Sequence, residues 1–253
     1  DEKIDYSFPL IAWHPSGKLF TFIIENKGKL YLYFYSIKDK KLEKQRLFHI
    51  EKVLDYSYSS DGKLMVLSAI KNGKSDILVY NLASHTFEQI TNDQYDDINP
   101  KFIENSSKII FSSNRINDTI KKENDTNITK QQFYNDIFIY NYKTKSSVLK
   151  NISNATTFNK IIPFQLKKDN YLFVGNQNKI NNLFFSKIDS SISHIDTLTH
   201  YQYTIKTYPL TNFRRNIEEY DIGFKQNKYS VLIFNNNRFK IYILDTNKIK
   251  QNK

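Results

Sequence analysis

Apolar residues in this chain come in short blocks separated by polar turns. LFTFII from Leu19, LYLYFY from Leu30, LMVLSA from Leu64 and IIFSS from Ile109 are such blocks. None recurs at three and four residues, as a helix face would require, so the pattern predicts strands and no long helix. The blocks also repeat. PSGKLFTFII, SDGKLMVLSA and NSSKIIFSSN place Lys18, Lys63 and Lys108 at a constant spacing of 45 residues. The following strand repeats as KLYLYFYSI from Lys29, DILVYNL from Asp76, DIFIYNY from Asp136, NLFFSKI from Asn182 and KIYILD from Lys240. A period of ~40–45 residues with four short strands per unit is the pattern of a β-propeller blade. The near-continuous apolar runs fit sheets that are covered on both faces by neighbouring blades.

The expected fold is therefore an all-β propeller of four-stranded antiparallel blades. Five blades are expected in this chain, at roughly 8–50, 51–91, 92–153, 154–199 and 200–247, as one propeller domain or as part of a six- or seven-bladed ring. Edge segments LEKQRLFHI, TFEQIT, SVLKNIS and HIDTLT follow in most copies. A polar insertion, RINDTIKKENDTNITKQQF near 115–133, is expected to be a mobile loop, and a second long connection runs from His200 to Ile217. The last unit, ending DTNKIKQNK, lacks a clear fourth strand, which DEKIDYS at the start is a candidate to supply. The chain opens without Met, so it is expected to be a processed or excised piece of a larger protein. The missing signal segment then says nothing of where the parent resides.

Several strings taken together suggest a family. Ser60-Asp61-Gly62-Lys63, Asp76-Ile77-Leu78, Gln89-Ile90-Thr91, Asp97-Ile98-Asn99-Pro100 and Ser113-Asn114-Arg115 occur in the order found in TolB-type (WD-repeat-like) propeller repeats. The chain resembles that family most clearly across residues 55–145; its later blades lack the Asp-Gly-Lys turn. The resemblance implies a protein-binding propeller of the bacterial cell envelope, periplasmic or envelope-associated through its parent. It also implies kinship with the non-catalytic propeller of prolyl oligopeptidase-type peptidases. With no α/β domain ahead of the blades in these residues, a propeller segment of a larger envelope protein is expected rather than the classical TolB arrangement.

Composition adds limits. Absent cysteine removes disulfides, thiol nucleophiles and thiolate metal sites together. The net charge of +11 raises the reading of an anionic partner such as nucleic acid, a membrane surface or an acidic protein. The basic residues are scattered rather than gathered on one face, which weighs against nucleic acid. No run reaches the ~18 apolar residues of a transmembrane helix. A Gly-x-Ser-x-Gly elbow, a phosphate loop and a dinucleotide fingerprint are all missing, so no catalysis, cofactor or tight metal is expected. The five histidines are dispersed, and His14 in the Trp13-His14-Pro15 turn reads as solvated.

The candidate partner-binding residues are charged groups beside the inner strands. Asp93, Asp96 and Asp97 precede the inner strand of the third blade, where a propeller opens its central channel. Asp55 and Asp221 take similar places before the second and fifth blades. These carboxylates either bind a cation or a basic or amide-rich peptide of a partner, or cap turns and accept hydrogen bonds from neighbouring blades. Arg115, and the Arg214-Arg215 pair, either recognise a partner's carboxylate or form inter-blade ion pairs.

Overall fold

The structure, a computed structural model, describes residues 9–120, 133–153, 157–195, 199–223 and 227–245. Every regular element among these residues is a strand. Blade 1 holds β1 (Leu10–Trp13), β2 (Leu19–Asn26), β3 (Lys29–Ser36) and β4 (Leu42–Leu47). Blade 2 holds β5 (Lys52–Tyr58), β6 (Leu64–Lys71), β7 (Lys74–Asn81) and β8 (Thr86–Gln89). Blade 3 holds β9 (Asp97–Ile103), β10 (Lys108–Ser113), β11 (Asp136–Tyr140) and the two-residue β12 (Lys150–Asn151). Blade 4 holds β13 (Lys160–Lys167), β14 (Asn170–Gly175), β15 (Asn182–Ile195) and β16 (Thr199–Pro209). Blade 5 has three strands among the described residues: β17 (Ile217–Gly223), β18 (Lys228–Asn235) and β19 (Arg238–Asp245). Each sheet pairs its strands in chain order, the meander of a propeller blade.

The chain forms two compact units, residues 1–133 with 138–150, and residues 134–137 with 151–253. In the first unit, β6 shows why its sequence is an unbroken apolar run. Met65, Leu67 and Ala69 pack with Ile23, Leu30 and Leu32 of blade 1. Val66, on the other face, packs with Ile109, Phe111 and Phe138 of blade 3. Burying each such side chain contributes roughly 1.5–3 kcal/mol. The second unit has its own core, in which Leu172, Val174 and Leu183 of blade 4 meet Ile217, Val231 and Ile233 of blade 5.

The Asp-Gly-Lys turn also links blades. Gly62 has φ +71°, and a Cβ there would lie 2.2 Å from His14 Nε2. His14 Nε2 is 3.2 Å from the Gly62 carbonyl oxygen, and its ring packs edge-on against Tyr58. His14 thus joins blade 1 to the next turn instead of standing in solvent. Ser60 N–H donates to Ser106 Oγ at 2.8 Å, which carries the contact on to blade 3.

Two further expectations change. The segment from His200 to Pro209, read as a connection, is most of β16, and β15 continues to Ile195. Blade 4 therefore ends ten residues later than the pattern suggested. The sequence hid the second strand of this hairpin because THYQYTIKTYP alternates mostly polar residues and carries no unbroken apolar block, and Ser190–His194 of the first strand are exposed. The start of the expected insertion is also held. Ile120 N–H donates to Ser147 O at 2.8 Å and Leu149 N–H to Asp118 O at 2.6 Å. Ile120 packs against the core between blades 2 and 3. The remainder of that expectation, residues 121–132, lies outside the described residues, as does DEKIDYS.

Candidate functional site

Three blades repeat one polar device at the start of their third strand. In blade 2, Thr91 Oγ1 accepts the Ile77 N–H at 2.9 Å and donates to Asp76 Oδ1 at 3.3 Å. In blade 3, Ser153 Oγ accepts the Ile137 N–H and donates to Asp136 Oδ1, both at 3.0 Å. In blade 4, Thr211 Oγ1 accepts the Leu183 N–H at 2.9 Å and donates to Asn182 Oδ1 at 2.8 Å. Each hydroxyl follows a residue whose N–H bonds back across the sheet: Ile90 to Ile77 O, Ile152 to Ile137 O and Leu210 to Leu183 O. This is the physical content of the Asp-Ile and Gln-Ile-Thr strings. The hydroxyl satisfies a buried amide and holds the outer strand to its neighbour.

Around the blade 2 copy sits a buried charged cluster. Arg115 is fully buried. Its Nη1 donates to Asp93 Oδ2 at 3.1 Å, and its Nη2 donates to both Asp97 oxygens at 2.9 and 2.8 Å. Its Nε donates to Ser113 Oγ at 3.0 Å, and the guanidinium stands 5.1 Å from the centre of the Tyr95 ring. Asp76, Asp93 and Asp97 are all buried with it, three carboxyls against one guanidinium. Burial pushes Asp97 above the usual carboxylate range against the pull of Arg115. Arg115 is also raised: burial works downward there, and Asp97 and Asp93 outweigh it. The two tendencies conflict over Asp97, and geometry decides. A charged guanidinium donating to both its oxygens requires an acceptor-only group, so Asp97 is the ionised partner. Asp76 has no such donor. Burial first, then Asp97 and Asp93, push it up to about 7. Asp76 is therefore the carboxyl of the cluster placed to take up a proton as pH falls below about 7, while Thr91 Oγ1 and Gln89 Nε2 donate to its two oxygens.

The next copy solves the same problem differently. Lys160 opens β13 as Asp97 opens β9; in each case a proline follows three residues on, after a left-handed residue (Asn99 at φ 54°, Ile162 at φ 54°). Lys160 Nζ donates to Asp136 Oδ1 at 2.5 Å and to Phe158 O at 3.2 Å. Burial lowers Lys160, against the opposing pull of Asp136. A lysine thus faces Asp136 within the second unit, whereas in the first unit an aspartate faces Asp76.

The candidates from the sequence therefore divide. Asp93, Asp97 and Arg115 come together in the interior, joined by Asp76, which the sequence placed only in a strand motif. Asp96 is exposed; its Oδ1 accepts from Ser75 Oγ at 2.9 Å and its amide donates to Asn114 Oδ1 at 2.8 Å. Asp55 and Asp221 share one local geometry, each carboxylate accepting the N–H of the next residue at 2.8 Å. Asp55 also accepts from Asn99 Nδ2 at 3.3 Å. Arg214 and Arg215 are exposed in the segment between β16 and β17. Among the described residues no group of three or more His, Asp or Glu is placed to hold a metal ion, and no helix is long and apolar enough to cross a membrane.

No protein-family model matches the chain, and no curated protein matches it. Solved structures do. The structure of putative TolB from Agrobacterium tumefaciens superposes with a TM-score of 0.67 at 14% identity, over 95% of this chain and 77% of that one. TolB from Acinetobacter baumannii gives 0.61 at 14% identity, over 95% of this chain and 53% of the other. The tricorn protease gives 0.60 at 13% identity, over 96% of this chain and 25% of that much longer one. At these identities the likeness is one of fold: a TolB-like β-propeller, found in a protease as well.

Proposed function

We propose that this TolB-like propeller is a non-catalytic protein-binding or scaffold module of the bacterial cell envelope. The observation that carries the reading is the likeness to two TolB structures across 95% of the chain. The chemistry of the charged groups supports it. The buried cluster of Asp93, Asp97 and Arg115 is consumed in holding strands together, as structural ion pairs are. That leaves the exposed Asp96, Arg214, Arg215 and Asp221, with the half-buried Asp55, to meet a partner. Exposed charges of this sort steer association and set specificity more than they supply affinity.

The test is a pull-down from envelope extracts with the immobilised chain, competed by free chain. We expect a defined protein partner whose recovery falls in the Arg214→Glu/Arg215→Glu variant. Recovery of no competed protein would overturn the reading.

A second reading is the propeller part of a prolyl oligopeptidase-type peptidase. The likeness to the tricorn protease, of which this chain spans a quarter, favours it. It requires a hydrolase domain encoded beside these residues, and the adjoining coding sequence decides it.

A further inference from the structure

In the first unit a groove of about 580 Å³ opens between the outer strand β4 of blade 1 and strands β7 and β8 of blade 2. The volume falls within the range of ligand sites, roughly 300–1,000 Å³. Its origin lies in the blade repeat. After Leu47, where the later blades place the hydroxyls of Thr91, Ser153 and Thr211, blade 1 carries Phe48, which is 49% exposed. His49 and His85, which also line the groove, adopt left-handed backbone (φ 63° and 57°).

Its chemistry is one-sided. Arg46 and Lys71 supply two fixed cations, and no carboxylate lines the groove. Lys71 Nζ is occupied only by the neutral Gln89 Oε1 at 3.1 Å, and the Arg46 guanidinium lies 4.5 Å from the centre of the Phe48 ring. Among the described residues neither cation has a carboxylate within ion-pair distance. The nearby acids are directed elsewhere: Glu51 accepts the Asn72 N–H, and Glu88 is paired with Lys145 and Tyr142. Phe48, Tyr80 and Phe87 form the apolar wall, Tyr80 and Phe87 with ring centres 4.6 Å apart. The Tyr80 hydroxyl is held by His85 Nδ1 at 3.1 Å, which fixes the wall's orientation.

We infer that this groove binds a short acidic peptide segment of a partner, seating an aromatic residue on Phe48 and Phe87 with flanking carboxylates on Arg46 and Lys71. The inference rests on the reading of the chain as a protein-binding module and assigns one contact to residues other than the exposed ones named above. Charge complementarity commits the site to an acidic occupant, and the aromatic wall adds apolar contact that a bare anion would not use.

The experiment is fluorescence anisotropy with a fluorescein-labelled peptide, Gly-Asp-Glu-Phe-Glu-Asp, against the same peptide with Asn and Gln in place of its acids. We expect the acidic peptide to bind about tenfold more tightly than the amide peptide, and Arg46→Glu/Lys71→Glu to lose about tenfold or more. Arg46→Glu alone, at an exposed position, is expected to lose part of this and guards against misfolding of the double variant. Lys143→Glu/Lys168→Glu, with the same change in net charge at exposed positions that do not line the groove, should change binding less than about threefold. Equal loss in that control would make the binding a net-charge effect and overturn the proposal. So would equal affinity for the two peptides, or displacement by benzoate at the peptide's own concentration, which would mark a site for small aromatic anions. A pull-down partner recovered undiminished by Arg46→Glu/Lys71→Glu would remove the groove and leave the binding-module reading standing.

Discussion

At Asp76 and Arg115 the excess of buried carboxyls over guanidinium makes stability depend on pH. Asp76 is raised in the folded chain to about 7 from a reference of 3.8. Below 3.8 both folded and unfolded chains hold the proton. Between that value and about 7 only the unfolded chain releases it, so stability falls as pH rises, and above about 7 the loss is complete. The size is on the order of 2–4 kcal/mol. Asp76→Asn should flatten this slope in chemical denaturation between pH 4 and 8 and give a more stable protein at pH 8; an unchanged slope would show that Asp76 ionises freely when folded. Arg115→Met has the opposite profile. It strands Asp93 and Asp97 as buried, uncompensated charges, at a cost of about 3–5 kcal/mol at neutral pH. That deficit should shrink towards pH 4, since burial already pushes Asp97 upward and the pull of Arg115 is gone, and denaturation midpoints at the two pH values read it directly.

The blade as an element is where the sequence was most and least informative. Strand order in blades 1 to 3 followed from the spacing of Lys18, Lys63 and Lys108, because a turn that needs Gly62 at φ +71° fixes where each strand begins. The Gln89-Ile90-Thr91 string was visible as a motif, but its role was not: that Thr91 satisfies the Ile77 amide is a contact across fourteen residues. Arg115 was legible as a candidate, and its burial was not, since burial depends on which blades stack. Asp76 and Lys160 were missed for the same reason. The β15–β16 hairpin escaped because Ser190–His194 are exposed and β16 carries no unbroken apolar block. Two element-scale tests follow. Thr91→Val leaves the Ile77 amide without its acceptor, so we expect about 1–3 kcal/mol of destabilisation and loss of Ile77 hydrogen-exchange protection, with Thr91→Ser retaining both. Gly62→Ala adds left-handed strain of roughly 1–3 kcal/mol to a collision with His14. Adding His14→Ala should recover the collision and leave the strain; full recovery would mean that the backbone conformation costs nothing.

Across the whole molecule, the described residues leave apolar surface on the last sheet. β19 is hydrogen-bonded only to β18 among them. Its Phe239, Ile241 and Ile243 alternate on one face at 65%, 71% and 68% exposure, and Phe234 of β18 stands opposite Phe239. A net charge of +11 opposes self-association through long-range repulsion, and salt screens that repulsion over about 8–10 Å. A strand with no second partner among the described residues and three aligned apolar side chains acts at contact distance, where screening removes nothing from its attraction. The two effects therefore separate with ionic strength. We expect this chain to stay dispersed at low salt and to associate as salt rises, by light scattering at a fixed protein concentration. Ile241→Lys/Ile243→Lys places charge on the strip itself and should abolish the salt-induced rise. The exposed Lys27→Ser/Lys40→Ser pair, which lowers the net charge without touching β19, should move its onset to lower salt. Scattering that falls with added salt would instead make electrostatic attraction between molecules the cause of association, with the β19 face uninvolved.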